Sequence, residues 1–192
     1  MKNKLERELE FMEVIQNIDN NILEFIQIHM RTPVLDKIMP LITILGSKIT
    51  IWTFIALILI MGKKYRKYGI MIICSLILCF IVGNLGLKPL VARTRPFNAE
   101  PILNMIHMKL PTDFSFPSGH TMCSFAPATI INYMNKRAGI LALTLSTLIG
   151  FSRLYLYVHY PSDVFAAMVI GLLIGNLVIA AFNKRALSSI LS

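Results

Sequence analysis

The apolar residues of this chain fall in long blocks separated by short polar or basic stretches, unlike the dispersed pattern of a soluble core. Five blocks, roughly residues 38 to 61, 68 to 87, 119 to 134, 139 to 157 and 164 to 182, are measured against the ~20 apolar residues a bilayer crossing requires. Gly46, Ser47 and Lys48 interrupt the first, consistent with a surface helix over 35 to 45 joined to a shorter span; Lys48 then snorkels at the interface or partners a buried carboxylate. Ahead of these blocks Phe11, Val14, Ile15, Ile18, Ile22, Phe25 and Ile26 recur at helical spacing, while Glu13, Asp19 and Glu24 exclude a crossing. The leading segment is therefore an amphipathic helix, lying on the membrane or packed on its own protein or a partner subunit. It lacks the basic start, unbroken apolar core and small-residue cleavage site of a signal peptide. The pattern predicts an all-α, integral membrane helical bundle of five spans, with residues 1–34 as the amphipathic lead-in and 35–192 as the membrane domain.

Composition agrees, at 192 residues and 55% hydrophobic content. The formal charge of +9 raises nucleic acid as a partner, but the basic residues sit in clusters between apolar runs and form no continuous stripe, so no nucleic acid is expected. Lys63, Lys64, Arg66 and Lys67 form one cluster, Lys136 and Arg137 a second, and Lys184 and Arg185 a third. The positive-inside rule makes these three places cytoplasmic, which puts 88 to 118 and 158 to 163 on the external side. Lys88, Arg93, Arg95, Lys109 and Arg153 are then cations on the face where the rule disfavours them, and something anionic should justify them. Cys74, Cys79 and Cys123 lack metal-ligand spacing and read as packing residues.

The chemistry lies in three stretches on that external side: KPLVARTRP from Lys88 to Pro96, PSGH from Pro117 to His120, and SRLYLYVHYPSD from Ser152 to Asp163. Proline and small residues at a helix start leave outward-facing N–H groups that suit a phosphate, although Pro-Ser-Gly alone is also an ordinary loop-to-helix transition. His159 and Asp163 are four apart across Pro161, so the carboxylate can reach and orient an imidazole; alone, Asp163 would simply complement a helix N-terminus. Lys88, Arg95 and Arg153 singly read as interfacial anchors. Their joint occurrence on one face decides for an anion site at a membrane surface.

The combined pattern K-x6-RP, PSGH and SR-x5-H-x3-D resembles the signature of the type-2 phosphatidic acid phosphatase superfamily, which includes vanadium-dependent haloperoxidases and bacterial acid phosphatases. Every signature position is matched: Lys88, Arg95, Pro96, Pro117, Ser118, Gly119, His120, Ser152, Arg153, His159 and Asp163. The resemblance implies a metal-independent, cofactor-free hydrolase of lipid phosphates or diphosphates working through a phosphohistidine. His159 would be the nucleophile, Asp163 its orienting group and His120 the acid and then the base. Lys88, Arg95, Ser118, Gly119 and Arg153 would hold the phosphoryl oxygens. Membrane members commonly have six spans, so residues 11 to 30 would supply a sixth if they dip into the bilayer. The expected substrate is phosphatidate, phosphatidylglycerophosphate or undecaprenyl diphosphate in type, reached from the external face of a cell membrane in which this multi-pass protein is surrounded by lipids. The other classes are a haloperoxidase, disfavoured by the apolar spans, a lipid phosphotransferase, and a non-enzymatic lipid or anion transporter, which predicts a midplane site and internal repeats that the sequence lacks.

Overall fold

A computed structural model describes residues 3–46, 50–101 and 110–191. Lys48 and Lys109 lie outside the described residues. Helix α1 (Lys4–Phe25) starts on a capping box, in which the Asn3 side chain accepts from the Glu6 N–H and the Glu6 side chain accepts from the Asn3 N–H. It continues through a π-helical turn (Ile26–Met30) to α2 (Pro33–Leu45), whose N-cap is Thr32. Then come α3 (Thr50–Met61) and α4 (Arg66–Cys79), which runs through a second π-helical stretch (Phe80–Leu87) into α5 (Lys88–Val91). A short α6 (Pro96–Ala99) precedes α7 (Gly119–Met134), α8 (Lys136–Tyr155) and α9 (Pro161–Leu191).

The all-α reading stands, but the count of five or six spans does not. Among the described residues, three helices are long and apolar enough to cross a membrane: Arg66–Ala99, Lys136–Tyr155 and Pro161–Lys184. The block at 38 to 61 is broken into α2 and α3. The apolar part of α3, Ile51–Met61, is a shorter helix, and the 12 residues of α3 give only about 18 Å of rise against a hydrocarbon core of about 30 Å. The block at 119 to 134 fails for a different reason. It folds as a 16-residue helix whose positions from Thr121 to Ile131 are buried, so its small and hydroxyl-bearing residues face neighbouring helices instead of lipid.

Helix α7 is the centre of the bundle, packed against α4, α8 and α9. The crossing with α9 is close because Gly171 and Gly175 lack side chains. A Cβ on either would come within 2.8 Å of a backbone oxygen of α7, that of Met122 or Ala126. Around this crossing the main core gathers Trp52, Met71, Ile72, Met122, Ile130, Ile149 and Ile174. A second cluster, with Leu23, Ile26, Met39, Phe97 and the Tyr155 to Tyr160 segment, packs α1 and α2 against the end of α8. Phe11, Val14, Ile18, Ile22 and Phe25 of α1 remain exposed.

The ends of the bundle differ in character. At one, Lys67 Nζ and the Tyr133 hydroxyl both meet Asn183, joining the first turn of α4, the last turn of α7 and the distal part of α9. The other carries the C-terminal end of the α4–α5 run, the start of α7, the end of α8 and the start of α9, and so all three sequence motifs.

Candidate active site

Two left-handed residues bring the motifs inward. Ala92 (φ 48°) ends α5 and turns the chain so that Arg93 and Arg95 return toward the bundle; Tyr157 (φ 58°) does the same after α8 and delivers His159. A non-glycine residue in this region costs roughly 1–2 kcal/mol, which the surrounding contacts must offset. The Tyr157 turn is fastened by Tyr157 N–H to the Leu154 carbonyl (2.9 Å) and Val158 N–H to the Arg153 carbonyl (3.1 Å). His159 ends up buried beside Arg95 on one side and Asp163 on the other.

On the first side stand three cations. Arg95 donates from Nε to the Asp113 carbonyl (2.7 Å), from Nη2 to Asp113 Oδ1 (2.7 Å), and from Nη1 to the Val158 carbonyl (2.7 Å). Its Nη1 also faces His159 Nε2 at 3.1 Å. Lys88 Nζ bonds the other Asp113 oxygen. Partial burial alone would raise the Asp113 pKa, but Lys88 and then Arg95 outweigh it and hold the carboxyl at about 2. Arg153, only 2% exposed, donates from Nη1 to Thr43 Oγ1, and its buried Nε–H has no hydrogen-bond partner among the described residues. A buried donor left unpaired is expensive, particularly on a charged group, and an anion is the kind of group that can satisfy it.

Ser118 and Gly119 adjoin these cations. Ser118 is buried, accepts a bond from the Thr121 hydroxyl (2.9 Å), and donates its N–H to the Asp163 carbonyl (3.3 Å). A Cβ on Gly119 would lie 3.9 Å from Lys88 Nζ and 3.8 Å from Asn84 Oδ1, so the first turn of α7 stands against the lysine. His120 follows on the same turn, within reach of the positive charges of Arg153, Lys88 and Arg95.

The second side of His159 holds Asp163, fully buried. Its Oδ2 accepts from the Ser115 hydroxyl (2.5 Å) and from Tyr160 N–H (2.9 Å), and its Oδ1 from Arg93 Nη1 (2.7 Å). His159 Nδ1 is 3.7 Å from Asp163 Oδ2, too long for a direct hydrogen bond, and 3.4 Å from Ser115 Oγ. Chemistry assigns the protons. A guanidinium only donates, so Nε2 facing Arg95 is the unprotonated nitrogen and Nδ1 carries the hydrogen toward Ser115, whose own proton goes to Asp163. Burial foremost, opposed by Asp163 and assisted by Arg95 and Arg153, pushes the His159 pKa down to about 3, so the ring is neutral.

The sequence profile of the PAP2 superfamily matches residues 64–187. The chain belongs to that superfamily. It is 33% identical over 122 residues to the undecaprenyl-diphosphatase of Sulfolobus acidocaldarius, covering 63% of this chain and 58% of that protein. It is 30% identical over 150 residues to the undecaprenyl-diphosphatase BcrC of Bacillus subtilis, covering 75% and 73% of the two. A crystal structure of a transmembrane PAP2-type phosphatidylglycerolphosphate phosphatase from Bacillus subtilis superposes with a TM-score of 0.75 at 25% identity, over 89% of this chain and 87% of that one. This PAP2 protein is a multi-pass membrane protein.

In this PAP2 chain every predicted site residue lies at the motif end, together with five neighbours that are not signature positions, one of which, Arg93, falls between signature positions of the first motif. Asp113, Ser115, Arg93, Asp19 and Thr43 all bond to signature side chains or to their direct partners. Asp113 had a signal: it is an acid lying between the cation-bearing first motif and PSGH, on a face whose positive charges called for an anion. Ser115 sits two residues before Pro117. Thr43 and Asp19 come from helices outside the motifs, where no local pattern marks them.

Proposed function

We propose that this PAP2 protein is a membrane phosphatase that hydrolyses a lipid phosphate or diphosphate through a phosphohistidine at the external membrane face. The observation that carries the reading is the placement of His159: an unprotonated Nε2 beside Arg95, with its protonated Nδ1 toward Ser115 and Asp163. That is an activated nucleophile aimed at an anion.

Lys88, Arg95, Arg153, the Ser118 hydroxyl and the Gly119 N–H hold the phosphoryl oxygens and stabilise the charge that grows on them in the transition state. Nε2 of His159 forms a bond to phosphorus as the bond to the lipid oxygen breaks, and His120 gives that oxygen its proton. His120 then takes a proton from water, the water oxygen attacks the phosphohistidine, the N–P bond breaks, and inorganic phosphate leaves with His159 restored. Asp163 holds the ring through Ser115 and offsets the positive charge it carries in the intermediate. The proposed steps use no divalent ion. Residues 1–34 form the surface-lying lead-in and 35–192 the phosphatase domain.

The external orientation is supported by the separation of the basic loops from the motif end, and the substrate class by the relatives that act on polyprenyl diphosphate and phosphatidylglycerophosphate, judging from their names. Phosphate release by detergent-solubilised protein from a panel of phosphatidate, phosphatidylglycerophosphate and undecaprenyl diphosphate tests the activity and ranks the substrates. Acid-quenched wild type should carry an acid-labile phosphoenzyme, and failure to release phosphate from any of the three overturns the reading. For orientation, Asn98→Cys in a background lacking Cys74, Cys79 and Cys123 should react with an impermeant thiol reagent outside intact cells, and Lys64→Cys should not. The reverse labelling would place the site on the cytoplasmic side.

A further inference from the structure

Arg93 lies two residues from the signature Arg95 and would pass for a fourth phosphate-binding cation. Its bonds point elsewhere. Nη1 donates to Asp163 Oδ1 and to Ser162 Oγ, both at 2.7 Å; Nη2 donates to Gln16 Oε1 and to Asp19 Oδ2, both at 2.7 Å. The four hydrogens on these two nitrogens are thereby committed, and the guanidinium lies over the Tyr160 ring at 3.9 Å. Neither terminal nitrogen is left to meet a phosphoryl oxygen.

The same residue governs both oxygens of Asp163. Its side chain holds Oδ1 directly. Its carbonyl accepts the Ser115 N–H (2.8 Å), fixing the residue whose hydroxyl bonds Oδ2 and stands between Asp163 and His159. Arg93 is in turn held by α1. Asp19 is 2% exposed and, besides Arg93, accepts from Ser162 N–H (2.8 Å) and Ser162 Oγ–H (2.5 Å), so it caps the first turn of α9 from another helix, immediately beside Asp163.

We propose that Arg93 is a positioning residue for the reaction, anchored by Asp19 and Gln16, and that the N-terminal helix α1 is thereby a working part of the active site and not only a surface anchor. The inference rests on the phosphatase reading above. Arg93 touches neither substrate nor His159; it fixes the carboxylate and the serine that orient the imidazole. Loss of that orientation reduces the chemical step and leaves anion binding by Lys88, Arg95 and Arg153 in place, since a displacement of about 1 Å at a reacting group can cost on the order of 10²-fold in rate.

Steady-state kinetics of the full-length protein in detergent, with phosphatidate as substrate and vanadate as the binding probe, separate the roles. Arg93→Ala should lower kcat by roughly 100-fold while KM and the vanadate inhibition constant stay within about threefold of wild type. Arg93→Lys should recover part of that loss. Asp19→Asn, which retains an acceptor but removes the charge, should lower kcat by about tenfold, and its effect should largely vanish in the Arg93→Ala background because the two act through one contact. Retained vanadate inhibition shows that a variant is folded; if Arg93→Ala fails to fold, Arg93→Lys and Asp19→Asn carry the same test. A vanadate constant weakened as much in an Arg93 variant as in Arg95→Ala makes Arg93 an anion binder and overturns the proposal. Unchanged kcat in the Arg93 and Asp19 variants also overturns it. Both outcomes require an active wild type, whereas an inactive wild type sinks the phosphatase reading itself.

Discussion

The two flanks of His159 are built from the same kinds of side chain in opposite proportion. Beside Nε2 stand three cations, of which Lys88 and Arg95 share one half-exposed carboxylate, Asp113, while Arg153 bonds Thr43. Beside Nδ1, two buried carboxylates, Asp19 and Asp163, share one cation, Arg93. Among the described residues the first flank is under-compensated: a buried donor of Arg153 has no hydrogen-bond partner, and Asp113 is reachable by solvent. The second is closed, with both oxygens of each carboxylate bonded. Charge in a poorly solvated site is tolerated only when paired, so on the proposed reading the first flank receives an anion and the second holds the ring.

The most severe test removes the residue between the flanks. His159→Ala should lower turnover by roughly four orders of magnitude or more and abolish the phosphoenzyme, while vanadate, lodged among the cations, still binds. Near-normal turnover would show that the two flanks do not serve one nucleophile. Next is the open flank itself. Arg153→Ala removes the unpaired donor and should cost about 10²- to 10³-fold in kcat/KM, the usual range for one preorganised donor at a developing charge, together with weakened vanadate inhibition. A loss of stability with unchanged kinetics would instead make Arg153 a structural partner of Thr43.

A smaller effect separates occupancy from support. Asp113 bonds both Lys88 and Arg95 from a half-exposed position, which is where an incoming phosphoryl group must compete. Asp113→Asn should therefore tighten vanadate inhibition by about two- to fivefold, the scale of a solvent-screened ion pair. Weaker inhibition would mean that Asp113 orders the cations more than it obstructs them, and the contrast between an open and a closed flank would lose its basis.

Much of the open flank was legible in the sequence because its residues fall within short motifs, where spacing fixes function. The closed flank was legible only through Asp163 and its spacing from His159. Asp19 is 143 positions from Ser162 and looks like one of several acids on an amphipathic helix; only the fold shows that it is buried. Reading His159 and Asp163 at i, i+4 anticipated their proximity but not the serine hydroxyl between them, because the Tyr157 turn sets the ring's angle. The span count failed on similar grounds. Residues 119 to 134 are apolar enough to suggest lipid, yet α7 is apolar because protein surrounds it, and hydropathy alone does not distinguish the two. The break between α2 and α3 was foreshadowed by Gly46, while the length left to α3 was not.

The mildest prediction reads the balance between the flanks through stability. Burial, the largest influence, lowers the His159 pKa; Asp163 opposes it from the closed flank, Arg95 and Arg153 add to it from the open one, and the outcome is about 3. An unfolded histidine titrates near ~6.5, so between these values the unfolded chain binds more protons than the folded one, and stability rises with pH. The contribution of a neutral His159 is thus fully present above about pH 6.5 and is lost progressively as pH falls toward 3, with a slope of at most about 1.4 kcal/mol per pH unit. Thermal unfolding of ligand-free protein in detergent should show Tm falling from pH 7.5 to pH 4.5, and His159→Gln, which cannot take up the proton, should show a shallower fall. Parallel curves for the two proteins would mean that His159 accepts a proton in the folded state as readily as in the unfolded one, and hence that Asp163 offsets burial and the cations together.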